Sequence, residues 1–245
     1  LLNAEQFAQT VNENRTEFGL NPVFTNAEIS KFRETGGTDW QDEIFRNAFS
    51  HNHLVSVRGG DSNLSYYLSG GLTDTEGIVL NTSYKKYTLR SNVNAKLTER
   101  LNTNVNVFIS KTIDHPIVTS NMDNPVFSAL VFAPTKTVYD EDGNYTMPGG
   151  GAGPPNHYNP VALAKEPVAD YYYDETSVNA GLDYKISNSL SLNLTGGYRL
   201  LDSEENQYIN GKPLGTTGTE SASIVDGKTI YLQNTNQINF NQVIN

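Results

Sequence analysis

The sequence contains no cysteine, so it can form neither a disulfide framework nor a thiolate metal site. It also lacks any run of eighteen or more apolar residues, the length of run that a transmembrane helix requires. A membrane protein built from strands leaves no such run, because its strands alternate between two faces. The composition therefore excludes a helical membrane anchor within these residues, but it does not exclude a barrel.

Apolar residues and basic clusters are both scarce. Hydrophobic residues make up 37% of the chain, the mean hydropathy is −0.48 and the formal charge is −10. Lys and Arg are scattered and, apart from the pair Lys85–Lys86, occur singly rather than in stripes, so nucleic acid is not an expected partner. The chain has 20 Gly and 14 Tyr, and its segments are rich in Asn, Ser and Thr, which favours strands and turns over long helices.

Both ends of the sequence are atypical of a whole protein. The chain opens at LLNAEQF, without an initiator Met or a signal-like start, and it stops at NQINFNQVIN, inside a predicted strand. We therefore expect these 245 residues to be a piece of a longer protein.

Residues 1–52 carry a helical pattern. The pattern predicts three short helices with the capping pairs Asn3–Gln6, Thr25–Glu28 and Thr38–Gln41. The second helix is predicted to stop at Gly36 and Gly37, because glycine adopts the left-handed conformation that ends a helix. Three short capped helices predict a small ordered insertion.

From residue 53 the period changes to two, the period of a β-strand. The alternation is clearest in YTLRSNVNAKL, where Leu89 and Val93 fall on one face and Arg90 and Asn92 on the other. The other predicted strands are HLVSVRGG, LSYYLSGGL, LNTNVNVFISKTI, SVNAGLDYKI, LSLNLTGGYRL and TIYLQNTNQINF.

Short and long connections alternate between these strands. The short turns are GDSN, TER and SNS, and long loops are predicted at 73–86, 114–175 and 202–228. This order is typical of an outer-membrane barrel with short periplasmic turns and longer extracellular loops. The loop 114–175 is too long for a plain connection, which indicates a functional or mobile segment.

The predicted fold is all-β. It comprises about seven strands of a larger antiparallel up-and-down transmembrane β-barrel, with residues 1–52 as a helical extracellular insertion and residues 53–245 as the partial barrel. The alternative is a soluble, secreted β-sandwich or adhesin-like module that binds carbohydrate through residues 114–175.

Residues 38–97 resemble a known family. The TDWQDEIF block, the S-V-x-G-G turn, the YYLSGG strand and the EGIV…YKKYTLR run occur together and in order, as in SusC/RagA-type TonB-dependent transporters of Bacteroidetes outer membranes. LLNAEQF at 1–7 and YNPVALAKE at 158–166 are similar more weakly. Family members carry a plug and then a barrel of about twenty-two strands. The resemblance therefore covers most of this chain but only part of a transporter.

The resemblance implies a function. Members of the family import large nutrients, usually oligosaccharides and sometimes peptides, across the outer membrane. It also implies three partners: a SusD-like surface lipoprotein over the extracellular loops, TonB acting through the plug, and outer-membrane lipid. No Ser-His-Asp grouping, paired-carboxylate motif or nucleotide fingerprint stands out, so neither an enzyme nor a cofactor is expected.

Aromatic and charged residues are the candidates for contact with a substrate. DYYYDE at 170–175 is suited to stacking on sugar rings, although an aromatic girdle at a strand end is the alternative. The candidate loop residues are Tyr139, Asp142, Tyr171, Tyr172 and Tyr173. The charged residues predicted to face the lumen are Arg90, Lys96, Asp183 and Arg199. The two arginines would suit an anionic substrate or a plug carboxylate, and ordinary lumen-lining charge is the simpler account.

YDEDGNYT at 139–146 resembles part of a calcium-binding loop, because the oxygen-bearing residues Asp140, Asp142 and Asn144 occur at alternate positions. Gly143, however, stands at position four of this stretch, whereas an EF-hand loop needs glycine at position six. A tight turn is therefore favoured.

Two other motifs have simple interpretations. His51 and His53 lie on one face of a strand, a spacing that suits zinc, but no third clustered ligand accompanies them, and a structural role is favoured. GGGAGP at 149–154 lacks the Lys-Ser/Thr of a phosphate-binding loop and is interpreted as a loop tip.

Overall fold

The computed structural model describes residues 1–118, 124–147, 158–211 and 220–241. The helices within these ranges are α1 (Ala4–Glu17), α2 (Asn26–Thr35), α3 (Trp40–Ile44), α4 (Pro125–Val131) and α5 (Pro160–Lys165). The strands are β1 (Ser50–Gly60), β2 (Leu64–Glu76), β3 (Ser83–Thr98), β4 (Leu101–His115), β5 (Val168–Lys185), β6 (Leu190–Ile209) and β7 (Ser221–Phe240). None of these helices is both long and apolar enough to cross a membrane.

The seven strands form one antiparallel sheet in chain order, and each strand pairs with the next one along the chain. This topology confirms the predicted all-β, up-and-down arrangement. A sandwich would require a second sheet packed over the first, and the described residues form only one sheet.

Cross-strand partners point to the same side of a sheet, so the register defines two faces. We call one of them the apolar face; it carries Val57, Leu64, Leu89, Val105, Leu182, Leu194, Ile238 and the residues of the same parity in each strand. The polar face carries Ser56, Ser65, Arg90, Asn106, Asn179, Thr195, Gln233 and the residues of the same parity.

The apolar face is not covered by any described part of the chain. Val55 is 76% exposed and Leu232 is 79% exposed, although both carry large aliphatic side chains. Among the described residues, Ala169 is the only buried hydrophobic residue that lies in a strand. The hydrophobic core of the described residues therefore lies outside the sheet.

The strands extend further than the apolar alternation predicts. The structure places the three long connections at 77–82, 116–167 and 210–220, instead of 73–86, 114–175 and 202–228, and β1 begins at Ser50 instead of residue 53. The reason is visible in β6, where residues 202–207 are polar on both faces yet remain paired with β7. Backbone hydrogen bonds continue the ladder where no apolar side chain marks it.

The predicted caps of α1 and α2 are confirmed. The Asn3 side chain accepts a hydrogen bond from the Gln6 amide at 2.9 Å, and the Thr25 hydroxyl accepts one from the Glu28 amide at 3.3 Å. Gly36 ends α2 in the left-handed conformation, with φ 76°.

The predicted cap of α3 is wrong by one residue. Asp39, not Thr38, accepts from the amides of Gln41 and Asp42. Thr38 instead donates from its hydroxyl to the Lys136 carbonyl at 2.6 Å. The side chain of Thr38 is therefore used to hold a distant loop, and the helix begins one residue later.

The connection 116–167 is folded rather than a plain loop. Helices α3, α4 and α5 and the hairpin 138–146 form a compact unit, which we call the helical platform. Its buried core consists of Trp40, Ile44, Ala129, Phe132, Val161, Ala164 and, from the connection 77–82, Val79. The rings of Trp40 and Phe132 meet edge to face with centroids 4.8 Å apart, and the Trp40 indole N–H donates to the Ala133 carbonyl at 3.1 Å.

The TDWQDEIF block joins this platform to the β2–β3 connection. Phe45 forms an isolated β-bridge with Val79. Arg46 donates from Nε to the Gly77 carbonyl and from Nη2 to the Thr82 carbonyl, each at 3.0 Å. This segment therefore has a packing role.

Helices α4 and α5 both begin with an Asn-Pro pair, in which the Asn side chain caps the helix. Asn124 accepts from the Val126 amide at 2.8 Å. Asn159 accepts from the Val161 amide at 3.0 Å and also donates from Nδ2 to the Val138 carbonyl at 2.9 Å. Because Asn159 is only 1% exposed, it connects α5 to the hairpin inside the platform.

We expect Asn159→Ala to destabilise the platform more than Asn124→Ala does. Loss of a cap costs about 1 kcal/mol, and the lost buried hydrogen bond and packing at Asn159 raise the total there to about 2–3 kcal/mol. Hydrogen exchange of the α4 and α5 amides, measured by mass spectrometry on the purified full gene product, gives the two opening free energies. If both variants lowered the opening free energy by the same amount, the connecting role of Asn159 would be contradicted.

Gly36 and Gly37 provide a second matched pair. Both have positive φ, at 76° and 80°, so alanine at either position costs about 1 kcal/mol of backbone strain. A Cβ at Gly37 would clash with the Ala4 Cβ and lie 2.5 Å from the Pro134 carbonyl oxygen, whereas a Cβ at Gly36 meets nothing within 4 Å. We expect Gly37→Ala, but not Gly36→Ala, to release α1 from the platform. Limited proteolysis within residues 1–36 measures the release, and equal cleavage rates in both variants would contradict the contact.

Candidate functional site

The polar face holds a row of six residues that pair consecutively across β2 to β7. This arginine row consists of Ser69, Arg90, Phe108, Ser177, Arg199 and Tyr231. The two predicted arginines therefore lie at the same level of the sheet, three strand spacings or roughly 14 Å apart.

Each arginine of the row lies beside an aromatic ring on the next strand. The Arg90 guanidinium carbon is 5.4 Å from the Phe108 ring centroid, and the Arg199 guanidinium carbon is 5.9 Å from that of Tyr231. Both distances are within the range of a cation–π contact. Arg199 also forms an ion pair with Glu175, with Nε 2.8 Å from Oε1.

The tyrosines of DYYYDE divide between the two faces. Tyr171 and Tyr173 lie on the polar face, between the arginine row and the platform, whereas Tyr172 lies on the apolar face. The rings of Tyr171 and Tyr173 meet edge to face with centroids 6.5 Å apart, and the Tyr173 hydroxyl donates to Glu205 at 2.9 Å. The structure therefore brings two of the three predicted tyrosines to the same face as Arg90 and Arg199.

Lys96 and Asp183 lie on the polar face as well, but near the short turns. Lys96 forms an ion pair with Glu99 at 2.8 Å, and Asp183 accepts a hydrogen bond from Asn193. Six residues of strand separate Lys96 from Arg90, a distance of roughly 20 Å. The four predicted charged residues therefore form two separate groups.

Tyr139 and Asp142 belong to the platform hairpin rather than to the sheet. Tyr139 forms a β-bridge with Tyr145, and their ring centroids are 5.1 Å apart. The Asp140 carboxylate accepts from the amides of Asp142 and Asn144, and Gly143 has φ 81°. These contacts confirm the tight turn predicted for YDEDGNYT.

The two remaining motifs add no binding site. His51 and His53 lie on one face of β1 with ring centroids 5.1 Å apart, as their spacing predicts. Across the described ranges, no three His, Cys, Asp or Glu side chains are grouped closely enough to hold a metal ion. GGGAGP at 149–154 lies outside the described residues.

Sequence reasoning missed the aromatic residues of the arginine row. Phe108 shares the parity of Asn104, Asn106 and Ser110, which places it among polar residues on the polar face. That parity was the available signal, but a large apolar residue is normally assigned to the apolar face. The sequence likewise carries no indication that Tyr231 lies beside Arg199, because the contact depends on the β6–β7 register.

Tyr145 and Asp61 are among the groups outside the sheet that have shifted pKa values. Burial and the neighbouring Glu166 carboxylate raise the pKa of Tyr145, whose hydroxyl donates to Glu166 at 2.9 Å. The backbone amides of Asn63 and Leu64 lower the pKa of Asp61 in the β1–β2 turn. Both groups stabilise local turns or packing, and neither lies near the arginine row.

The sequence is similar to TonB-dependent receptors. TonB-dependent receptor P3 of Formosa agariphila is 31% identical over 204 residues, which cover 81% of this chain and 20% of that protein. TonB-dependent receptor SusC of Bacteroides thetaiotaomicron is 36% identical over 117 residues, which cover 47% of this chain and 11% of that protein. No protein-family model matches the sequence.

The fold is similar to solved structures of the RagAB peptide importer. The closed-closed state has a TM-score of 0.68 at 20% identity and covers 85% of this chain and 24% of the importer chain. The open-open state has a TM-score of 0.67 at 20% identity and covers 97% of this chain and 26% of the importer chain.

This chain spans at most about a quarter of the length of these relatives. The sequence relatives are TonB-dependent receptors, SusC among them, and the seven-stranded sheet has the fold of a segment of the RagAB barrel. The chain therefore belongs to the SusC/RagA-type family of TonB-dependent transporters.

Proposed function

We propose that the gene product carrying this chain is an outer-membrane transporter of large nutrients, in which the seven strands form part of the barrel wall. The observation that carries the proposal is the uncovered apolar face of the sheet. Lipid would cover this face, and the polar face would line a hydrated lumen.

The height of the apolar face supports this assignment. On β6 the apolar face carries no charged residue from Leu190 to Leu200. At about 3.4 Å per residue and a tilt of about 40°, this stretch rises roughly 25 Å, the height of the apolar band of an outer-membrane barrel.

A row of charged residues bounds this band at the end nearer the platform. Lys111, Asp174, Asp202 and Lys228 are consecutive partners across β4 to β7 on the apolar face. Tyr87 continues the same row on β3, where an interfacial aromatic residue is expected. The row therefore marks the platform-side end of the apolar band on five adjacent strands.

The orientation follows from the unequal connections. Short turns lie at one end of the sheet, and the helical platform lies at the other. In barrels of this kind the short turns are periplasmic. The platform and the helices within residues 1–52 would therefore lie outside the cell, where a SusD-like lipoprotein would sit over them.

The cargo would be an oligosaccharide or a peptide. The RagAB structures, which are similar in fold, are of a peptide importer. The family resemblance of residues 38–97 implies oligosaccharides as the more usual class. Within the lumen, Tyr171, Tyr173, Arg90 and Arg199 would be the wall residues available to cargo near the outer end. TonB would act through a plug domain of the gene product, and the transporter would carry out no chemical conversion.

Two adjacent residues of one strand, at the same depth in the membrane but on opposite faces, test whether the apolar face contacts lipid. Val105 on the apolar face and Asn106 on the polar face are adjacent in β4. We expect Val105→Arg to destabilise the protein in lipid vesicles by about 2–4 kcal/mol, because the charge would lie in the hydrocarbon region, and Asn106→Arg to cost less than about 1 kcal/mol. Denaturant titration of the full gene product in phospholipid vesicles measures both values. Similar costs for the two variants would refute a lipid-facing apolar face.

A further inference from the structure

Arg90 differs from the other arginine of its row in having no acidic partner. Its cross-strand neighbours are Ser69 and Phe108. The polar-face positions one level above and below are occupied by neutral residues: Gly71, Thr88, Ser110, Tyr67, Asn92 and Asn106. Within the part of the chain that the structure describes, no carboxylate lies within 4 Å of its guanidinium nitrogens. Arg199, by contrast, is neutralised by Glu175.

The surroundings of Arg90 suit the capture of an anion. Phe108 contacts the guanidinium through its ring, and no described side chain or carbonyl accepts a hydrogen bond from it. The contact with the ring leaves the N–H donors at the guanidinium edge available, and their planar fork matches a carboxylate in a bidentate manner. Because Arg90 is exposed and its neighbouring side chains are neutral, its charge is available to an anionic group from outside this wall.

The position of Arg90 along the strand favours cargo as the source of the anionic group. Arg90 lies between Leu89 and Ser91 of the apolar face, in the outer part of the apolar band and close to the charged row. Tyr173 lies at a higher level of the polar face, toward the platform. A solute that enters from the outside would therefore pass the tyrosines and then reach Arg90.

We propose that Arg90, oriented by Phe108, binds a carboxylate of the cargo, so that the transporter prefers acidic oligomers over neutral ones. This inference rests on the proposed transport function. Acidic sugars and acidic peptides both supply the required carboxylate, and the test therefore uses both.

The experiment compares paired probes that differ only in charge. One pair is trigalacturonate and its methyl ester, and the other is an aspartate-containing hexapeptide and the same peptide with asparagine. Isothermal titration with the purified full gene product measures binding to the wild type, Arg90→Gln and the control Lys96→Gln. Lys96→Gln removes one positive charge from the same face, at the level of the short turns, where Lys96 is already paired with Glu99.

We expect the wild type to bind the acidic member of one pair at least about tenfold more tightly than the neutral member. Arg90→Gln should remove most of this preference and leave the affinity for the neutral member unchanged, and Lys96→Gln should retain the preference. The pair that shows the preference identifies the source as sugar or peptide.

Three outcomes would overturn the inference. Equal binding of both members of each pair by the wild type would exclude a carboxylate preference while leaving transport intact. An unchanged preference in Arg90→Gln would place the recognition elsewhere. Increased passive permeability of cells carrying Arg90→Gln, without a change in binding, would assign Arg90 to the plug. Failure of intact cells carrying the wild type to import any of the four probes would count against the proposed function itself.

Discussion

The antiparallel ladder that runs without a break from β1 to β7 is the constraint on which the rest of this structure depends. A shift of one residue in any pairing would move an entire set of side chains to the opposite face. The same register places Leu89 and Val105 on one face, with Lys111 at the platform end of that face. It also places Arg90 beside Phe108 on the opposite face. The apolar band, its charged boundary and the arginine row are three consequences of one register.

The helical platform holds the long connections in place at one end of the sheet. The sheet itself has no hydrophobic core among the described residues. Trp40 and Ile44 from the N-terminal segment pack with residues of α4 and α5, and Arg46 binds the carbonyls of the β2–β3 connection. The N-terminal segment and the connections 77–82 and 116–167 thereby share one small core. The TDWQDEIF block contributes Trp40 and Ile44 to this core, so it has a packing role in this structure.

The predictions from sequence succeeded where side-chain pattern and backbone structure coincide. The caps at Asn3 and Thr25 were read correctly because a cap is a local contact within four residues. The ends of β5, β6 and β7 were misplaced because the strands continue where neither face is apolar, and periodicity gives no signal there. The folding of residues 124–147 was missed because the partners of α4 lie on segments far away in the chain.

By itself, the sequence determined the strand parity, the order of short and long connections and the family, since all three are encoded in local pattern and residue identity. Only the tertiary structure decided which predicted residues act together. Tyr172 lies on the opposite face from Tyr171 and Tyr173, Lys96 lies far from Arg90, and Glu175 neutralises one arginine of the row but not the other. The physical reason is that a charge is balanced by its neighbours in space, and cross-strand register, not sequence separation, sets those neighbours.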